Sequence, residues 1–185
     1  MQMLALTLAA CAAIAGGASA QSPAAADPGH LARFSRAIKT RYDTIARDIV
    51  DAAEAMPESE YGFRATAQVR TFAEIVGHIA DSQNFFCGVA RGGNPEYADP
   101  IERSGGTKAA IVKALKESVA ACDAIYGTID PAGALALVPS GKGDALRGMV
   151  LLDNVSHDNE HYGNIVTYLR LKGHVPPSTA RGSDK

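Results

Sequence analysis

The chain has no tryptophan, and only five phenylalanines and six tyrosines among its 185 residues. So few aromatic faces make a base-stacking platform for nucleic acid an unpromising reading. Neither sign of charge is in excess, with 18 Lys and Arg against 20 Asp and Glu. There is no basic stripe to track a phosphate backbone and no block of like charge to act as a solvated tail. Beyond the first twenty residues there is no apolar run of the roughly 20 residues needed to cross a bilayer. Cysteine is scarce, at three residues. What remains is a length suited to one domain with a full hydrophobic core, and a small-molecule partner rather than a nucleic acid or a membrane.

The first twenty residues read as a separate object. Met1 to Ala15 is apolar and uncharged, and Ala18-Ser19-Ala20 has the small-x-small form of a signal-peptidase site. Cleavage after Ala20 is expected to leave Gln21 as the new terminus of a periplasmic or secreted protein. The segment departs from the usual signal in having no Lys or Arg ahead of its apolar run. An alternative reading takes Leu8-Ala9-Ala10-Cys11 as a bacterial lipobox with Cys11 as the lipid-bearing residue, against which stands the shortness of the preceding run. After cleavage Cys87 and Cys122 form an even pair in an oxidising compartment, which makes them a disulfide candidate stapling two helices. The competing reading is two buried free thiols.

Four stretches carry helical periodicity. Residues 21–30 form an Ala-, Pro- and Ser-rich lead-in expected to be flexible. From about Leu31 to Met56, Phe34, Ile38, Tyr42, Ile45, Ile49 and Ala52 recur at spacings of three and four. Pro57 ends this helix, and a loop through Tyr61 and Arg64 follows. Thr71 with Glu74 predicts a capping box opening a second helix that stops before Gly92-Gly93-Asn94-Pro95. Thr107 caps a third, to about Ile129. The segment 130–143 contains two prolines and three glycines, which exclude a continuous helix. A last helix is expected from about Asp144 to Lys172, stopped by Gly173 and Pro176-Pro177. Residues 178–185 form a polar tail expected to be disordered. Four long helices and no convincing strand predict an all-α four-helix bundle over residues 31–177.

The chemistry concentrates in Ser156-His157-Asp158-Asn159-Glu160-His161-Tyr162-Gly163. Two histidines four apart on a helix lie about 40° apart around its axis. Such a pair can grip one metal ion and leave room for a ligand from another helix. His78, in the second helix, is the candidate third ligand. Three neutral imidazoles leave an open coordination position, as catalytic rather than structural sites do. Asp153 and Glu74, each four residues before a histidine, are candidates to hold an imidazole N–H; ordinary solvated helix charge, or capping for Glu74, is the better explanation of them. Glu160 is the candidate base. The arrangement is not the H-E-x-x-H of zincin proteases, because Asp158 follows the first histidine. His30 and His174 lie in expected loops and are read as surface residues.

These segments resemble the DinB superfamily. The resemblance rests on Thr71 through His78 to Cys87, on His157 to Asn164, and on Leu169-Arg170-Leu171-Lys172-Gly173. It covers roughly Leu31 to Ser178. It implies a bundle of DinB/YfiT type with a long crossover connection, and a metal site built from one histidine of the second helix and two of the last: His78, His157 and His161. Zinc or nickel is the divalent ion implied, although imidazole also suits manganese and iron. Relatives of this kind include transferases and isomerases that use low-molecular-weight thiols, and they often pair as homodimers. They are mostly cytoplasmic, whereas this chain reads as an exported member. Three functions follow: a metal-dependent hydrolase or thiol transferase, with Tyr61 or Arg64 orienting substrate; an exported carrier of a metal or small ligand without turnover; and a structural bundle with a vestigial site.

Overall fold

The computed structural model describes residues 27–141 and 143–182. The expected signal segment, Cys11 and most of the lead-in lie outside the described residues. Four long helices form the body: α1 (Pro28–Ala55), α2 (Phe72–Ala90), α3 (Lys108–Tyr126) and, after a short α4 (Pro131–Leu135) and the strands β1 (Leu137–Ser140) and β2 (Gly143–Leu146), α5 (Arg147–Leu171). A short α6 (Pro177–Gly182) follows.

The helices start and stop where side chains satisfy their free backbone groups. The Asp27 carboxylate accepts the Gly29 N–H at 2.8 Å, so α1 opens at Pro28, inside the stretch expected to be a flexible lead-in. Thr71 and Glu74 form the reciprocal capping box of α2. At the end of α5, Gly173 adopts φ 80°; its N–H donates to the Arg170 carbonyl and the His174 N–H to that of Leu169. That Schellman arrangement needs a residue without Cβ strain at the left-handed position.

Helix α2 packs on α3 and α5, and α1 packs on the same two, so α1 and α2 occupy opposite corners of the bundle. The α3–α5 connection crosses the other diagonal. It differs from the loop expected there, because Leu137 pairs with Leu146 and Ser140 with Gly143 in an antiparallel hairpin. Gly141, at φ 61°, supplies the left-handed turn position. The alternation that marks a strand lasts only four residues on each side, too short to stand out from a Pro/Gly loop. Val138 alone of β1 is buried and anchors the hairpin to the core. Because residues 143–146 are paired as a strand, α5 starts at Arg147 rather than Asp144.

The tail expected to be disordered is instead helical through Gly182. Arg181 reaches back to Asp48 and Asp51 on α1, and Ser178 Oγ lies 2.9 Å from the Tyr162 hydroxyl. Polar composition hid this, because what orders the segment is charge on a distant helix. Residues 183–185 lie outside the described residues.

Two apolar clusters fill the bundle. Cys87 on α2 and Cys122 on α3 are joined by a disulfide with Cα atoms 5.5 Å apart, both fully buried. Along α5 the two histidines fall between the residues feeding one cluster (Val150, Leu151, Val155) and those feeding the other (Tyr162, Ile165, Leu169). No helix among the described residues is long and apolar enough to cross a membrane.

Candidate metal centre

The apolar positions of α2 set which of its faces meets the core. With Phe72, Val76 and Ile79 turned into the core, His78 falls on the α5 side. There it meets His157 and His161. One ligand-type nitrogen from each of the three lies within 4.8 Å of the other two. The rings of His157 and His161 are 4.4 Å apart between centroids, and that of His78 is 5.1 and 4.7 Å from them. His78 and His161 are less than a tenth exposed.

The closest approach is between two Nε2 atoms, of His78 and His157, at 3.1 Å. Two lone pairs cannot share that space without a proton or a cation between them. Burial is the main force holding His78 and His161 neutral. It pushes His161 down to about 3, with the neighbouring His157, His78 and Arg70 adding to the effect. It lowers His78 as well, helped by Arg70 and opposed by Glu102. Neutral imidazole is the form that ligates a metal. The donor set therefore fits a divalent transition ion.

Each ring has its own surroundings on the far side. His78 Nδ1 lies 2.9 Å from Glu102 Oε2, 3.1 Å from the Tyr97 hydroxyl and 3.7 Å from Asp99 Oδ1. Arg70 Nε donates to the other oxygen of Glu102 at 2.8 Å. His157 Nδ1 is buried without a partner, and so is Asp158 Oδ1, 3.9 Å away. Asp158 is wholly buried, and burial raises its carboxyl to about 6 against the pull of His157. His161 Nδ1 lies 3.5 Å from the Asn164 amide nitrogen. A cleft of about 520 Å³ opens beside the cluster, lined by His161, Arg70, Glu102, Asn164 and Tyr168.

Several residues singled out from sequence are not at the cluster. Glu74 is engaged in the cap and with Arg64, 3.6 Å away, rather than with His78. Asp153 and Glu160 are on the exposed side of α5 and contribute no atom to the ring of ligand nitrogens. Tyr61 is buried, donating its hydroxyl to the Ala53 carbonyl, so neither it nor Arg64 faces the cleft. His30 is exposed on the first turn of α1, and His174 pairs with Glu60 at 2.7 Å. Conversely, Arg70, Tyr97, Asp99 and Glu102 were not found as site residues. They lie in connections without periodicity, and nothing in their spacing links them to a histidine.

The DinB superfamily matches residues 41–165, which include all three histidines. The chain belongs to the DinB superfamily. Among solved structures, the DinB fold seen here is similar to that of a mycothiol-dependent maleylpyruvate isomerase. The TM-score is 0.54 at 13% identity, over 76% of this chain and 61% of that one. A histidine-to-alanine mutant of a mycothiol-dependent maleylpyruvate isomerase gives the same TM-score of 0.54, at 12% identity and the same coverage of 76% and 61%. This DinB chain thus spans less than two thirds of the isomerase it matches. No functionally curated protein matches the chain.

The depressed pKa values give the metal-free protein a pH dependence. An imidazole lowered on folding contributes stability that is complete above the ordinary histidine value of about 6.5 and is lost as pH falls towards the folded value. Between pH 6.5 and 4.5 the raised Asp158 carboxyl acts in the opposite sense, so the test is the difference: the urea midpoint of the metal-free protein is expected to decline relative to that of His161→Gln as pH falls. Identical slopes in the two proteins would show that His161 is not held neutral.

Proposed function

We propose that this chain is an exported, divalent-metal-dependent enzyme of DinB type, a hydrolase or thiol transferase acting on a small molecule. The observation that carries the reading is the convergence of three imidazoles from two helices beside an open cleft. His78, His157 and His161 would hold the ion, zinc or nickel being the best match to an all-imidazole set. When bound, such an ion acts as a Lewis acid and lowers the pKa of water or of a substrate thiol. The chain itself supplies the surroundings: Phe86 stands against His157 with ring centroids 5.8 Å apart, and Arg70, Asn164 and Tyr168 line the cleft. Export is supported by the apolar leader with Ala18-Ser19-Ala20 and is consistent with the disulfide. A homodimer is the assembly proposed from the family.

A specific observation favours a second reading, an exported metal or small-ligand carrier without turnover. Glu102, the carboxylate closest to the ligands, is already engaged by His78 and Arg70, and Glu160, the base expected from sequence, is exposed and contributes nothing to the cluster. The deciding experiment is elemental mass spectrometry of the untagged protein beside His78→Ala, followed by a screen of esters, amides and thiols with the metal found. One equivalent of metal that vanishes in the variant, with turnover, is the expected result. Metal without turnover would select the carrier, and no metal after reconstitution would remove both readings.

A further inference from the structure

The connection between α2 and α3 is attached to α2 at two points one helical turn apart. Asp81, only 4% exposed, accepts the backbone N–H groups of Ile101 and Glu102, at 3.0 and 2.9 Å to Oδ2. One turn earlier, Gly77 lets the same peptide units approach. A Cβ there would sit 2.8 Å from Glu102 Cα and 2.9 Å from its nitrogen, and backbone cannot rotate aside. A buried carboxylate is costly unless hydrogen-bonded, and Asp81 takes both of its backbone donors from this one segment. Between these two residues on α2 stands His78.

We infer that Glu102 is a positioning residue for the metal centre: docked through Asp81 and Gly77, it accepts the Nδ1 proton of His78 and leaves the Nε2 lone pair facing His157 and His161. An ionised carboxylate has acceptors only, so 2.9 Å between Oε2 and Nδ1 is an attraction only if Nδ1 carries the proton; the Arg70 Nη2 donor stands farther from the same atom, at 3.4 Å, and the shorter contact decides the assignment. The proton on one ring nitrogen determines what the other can do. The Tyr97 hydroxyl, 3.1 Å from Nδ1, can share the proton as an acceptor while donating to Ser82 Oγ at 3.2 Å. His157 fits the same assignment. In the 3.1 Å contact between Nε2 atoms it must then be the donor, which leaves its Nδ1 with a lone pair, and that atom is the buried one without a partner. Binding a metal through the Nε2 that faces His78 would require the His157 proton to leave that atom and Nδ1 to gain one, opposite the unpartnered Asp158 Oδ1. His78 needs no such change.

The consequence for affinity rests on the proposed function, whereas the hydrogen bond does not. Long-range ¹H–¹⁵N NMR of the metal-free protein is expected to show His78 protonated at Nδ1 and His157 at Nε2. On adding zinc, His157 is expected to change tautomer and His78 to keep its own. By chelator competition, Glu102→Ala and Gly77→Ala are each expected to weaken zinc binding about 10- to 100-fold, as loss of an outer-shell partner does. Glu102→Gln, which keeps an acceptor, is expected to lose less. Gly77→Ala alters no polar side chain, and alanine favours helix, so it separates loop docking from charge. His78 protonated at Nε2 in the metal-free protein would overturn the inference, as would wild-type zinc affinity in both folded alanine variants. If the wild type binds neither zinc nor nickel, the metal reading fails and the His78 tautomer alone decides the hydrogen bond.

Discussion

Replacing His157 or His161 with alanine is expected to abolish stoichiometric binding of zinc while leaving the bundle folded. A structural zinc site contributes about 10–16 kcal/mol across its ligands, or roughly 2.5–4 kcal/mol for each of four. Loss of one therefore weakens binding about 10²- to 10³-fold, at about 1.4 kcal/mol per factor of ten. Folding should survive, because alanine is the best helix former and the two apolar clusters above and below the histidines are untouched. A thermal melt gives a second readout. Zinc at 100 times its Kd is expected to add about 2.7 kcal/mol to the wild type and little to either variant. His174→Ala serves as the control, since its partner is Glu60 and not the cluster. Full zinc retention by both His157→Ala and His161→Ala would end the three-histidine model.

Removing the disulfide is expected to produce a large loss of stability without touching the site. Cys87 and Cys122 are 35 residues apart, and the entropy of closing such a loop corresponds to about 4 kcal/mol in the unfolded chain. Measured effects of native disulfides lie at about 2–5 kcal/mol. Against a domain stability of about 5–15 kcal/mol, the fall in urea midpoint on reduction, or in the double Cys→Ala variant, should be plain. The bond joins α2 to α3, whereas the histidines join α2 to α5, so zinc binding by the folded reduced protein is expected to persist. Alkylation of the denatured, unreduced chain beginning at Gln21, read by mass spectrometry, should find no free thiol. Two labelled cysteines would reject the bond.

The helices of the body were legible because their determinants are local. Thr71 and Glu74 are three residues apart and form the cap whose spacing announces it. The heptad-like recurrence of Ile38, Tyr42, Ile45 and Ile49 on α1 became its buried face. The hairpin at 137–146 was not legible, since four residues of strand carry too little alternation to separate from a loop. The order in α6 was equally hidden, because its anchors Asp48 and Asp51 are some 130 residues away.

The site divides in the same way. His157 and His161 are neighbours by helical geometry alone, and His78 could be named as their partner by resemblance. The groups around them could not. Glu74 and Asp153 had the right spacing and turned out to face elsewhere, while Glu102, at 24 residues from His78, touches it. By itself the sequence determined which side chains could bind a metal and the helical faces that carry them, because both follow from residue type and a 3.6-residue repeat. Only the tertiary structure decided which carboxylate meets which imidazole. That depends on placing α1 and α2 at opposite corners and on docking the Ile101–Glu102 peptides against Gly77 and Asp81. Contacts between distant segments are set by packing of the whole bundle, and no local repeat encodes them.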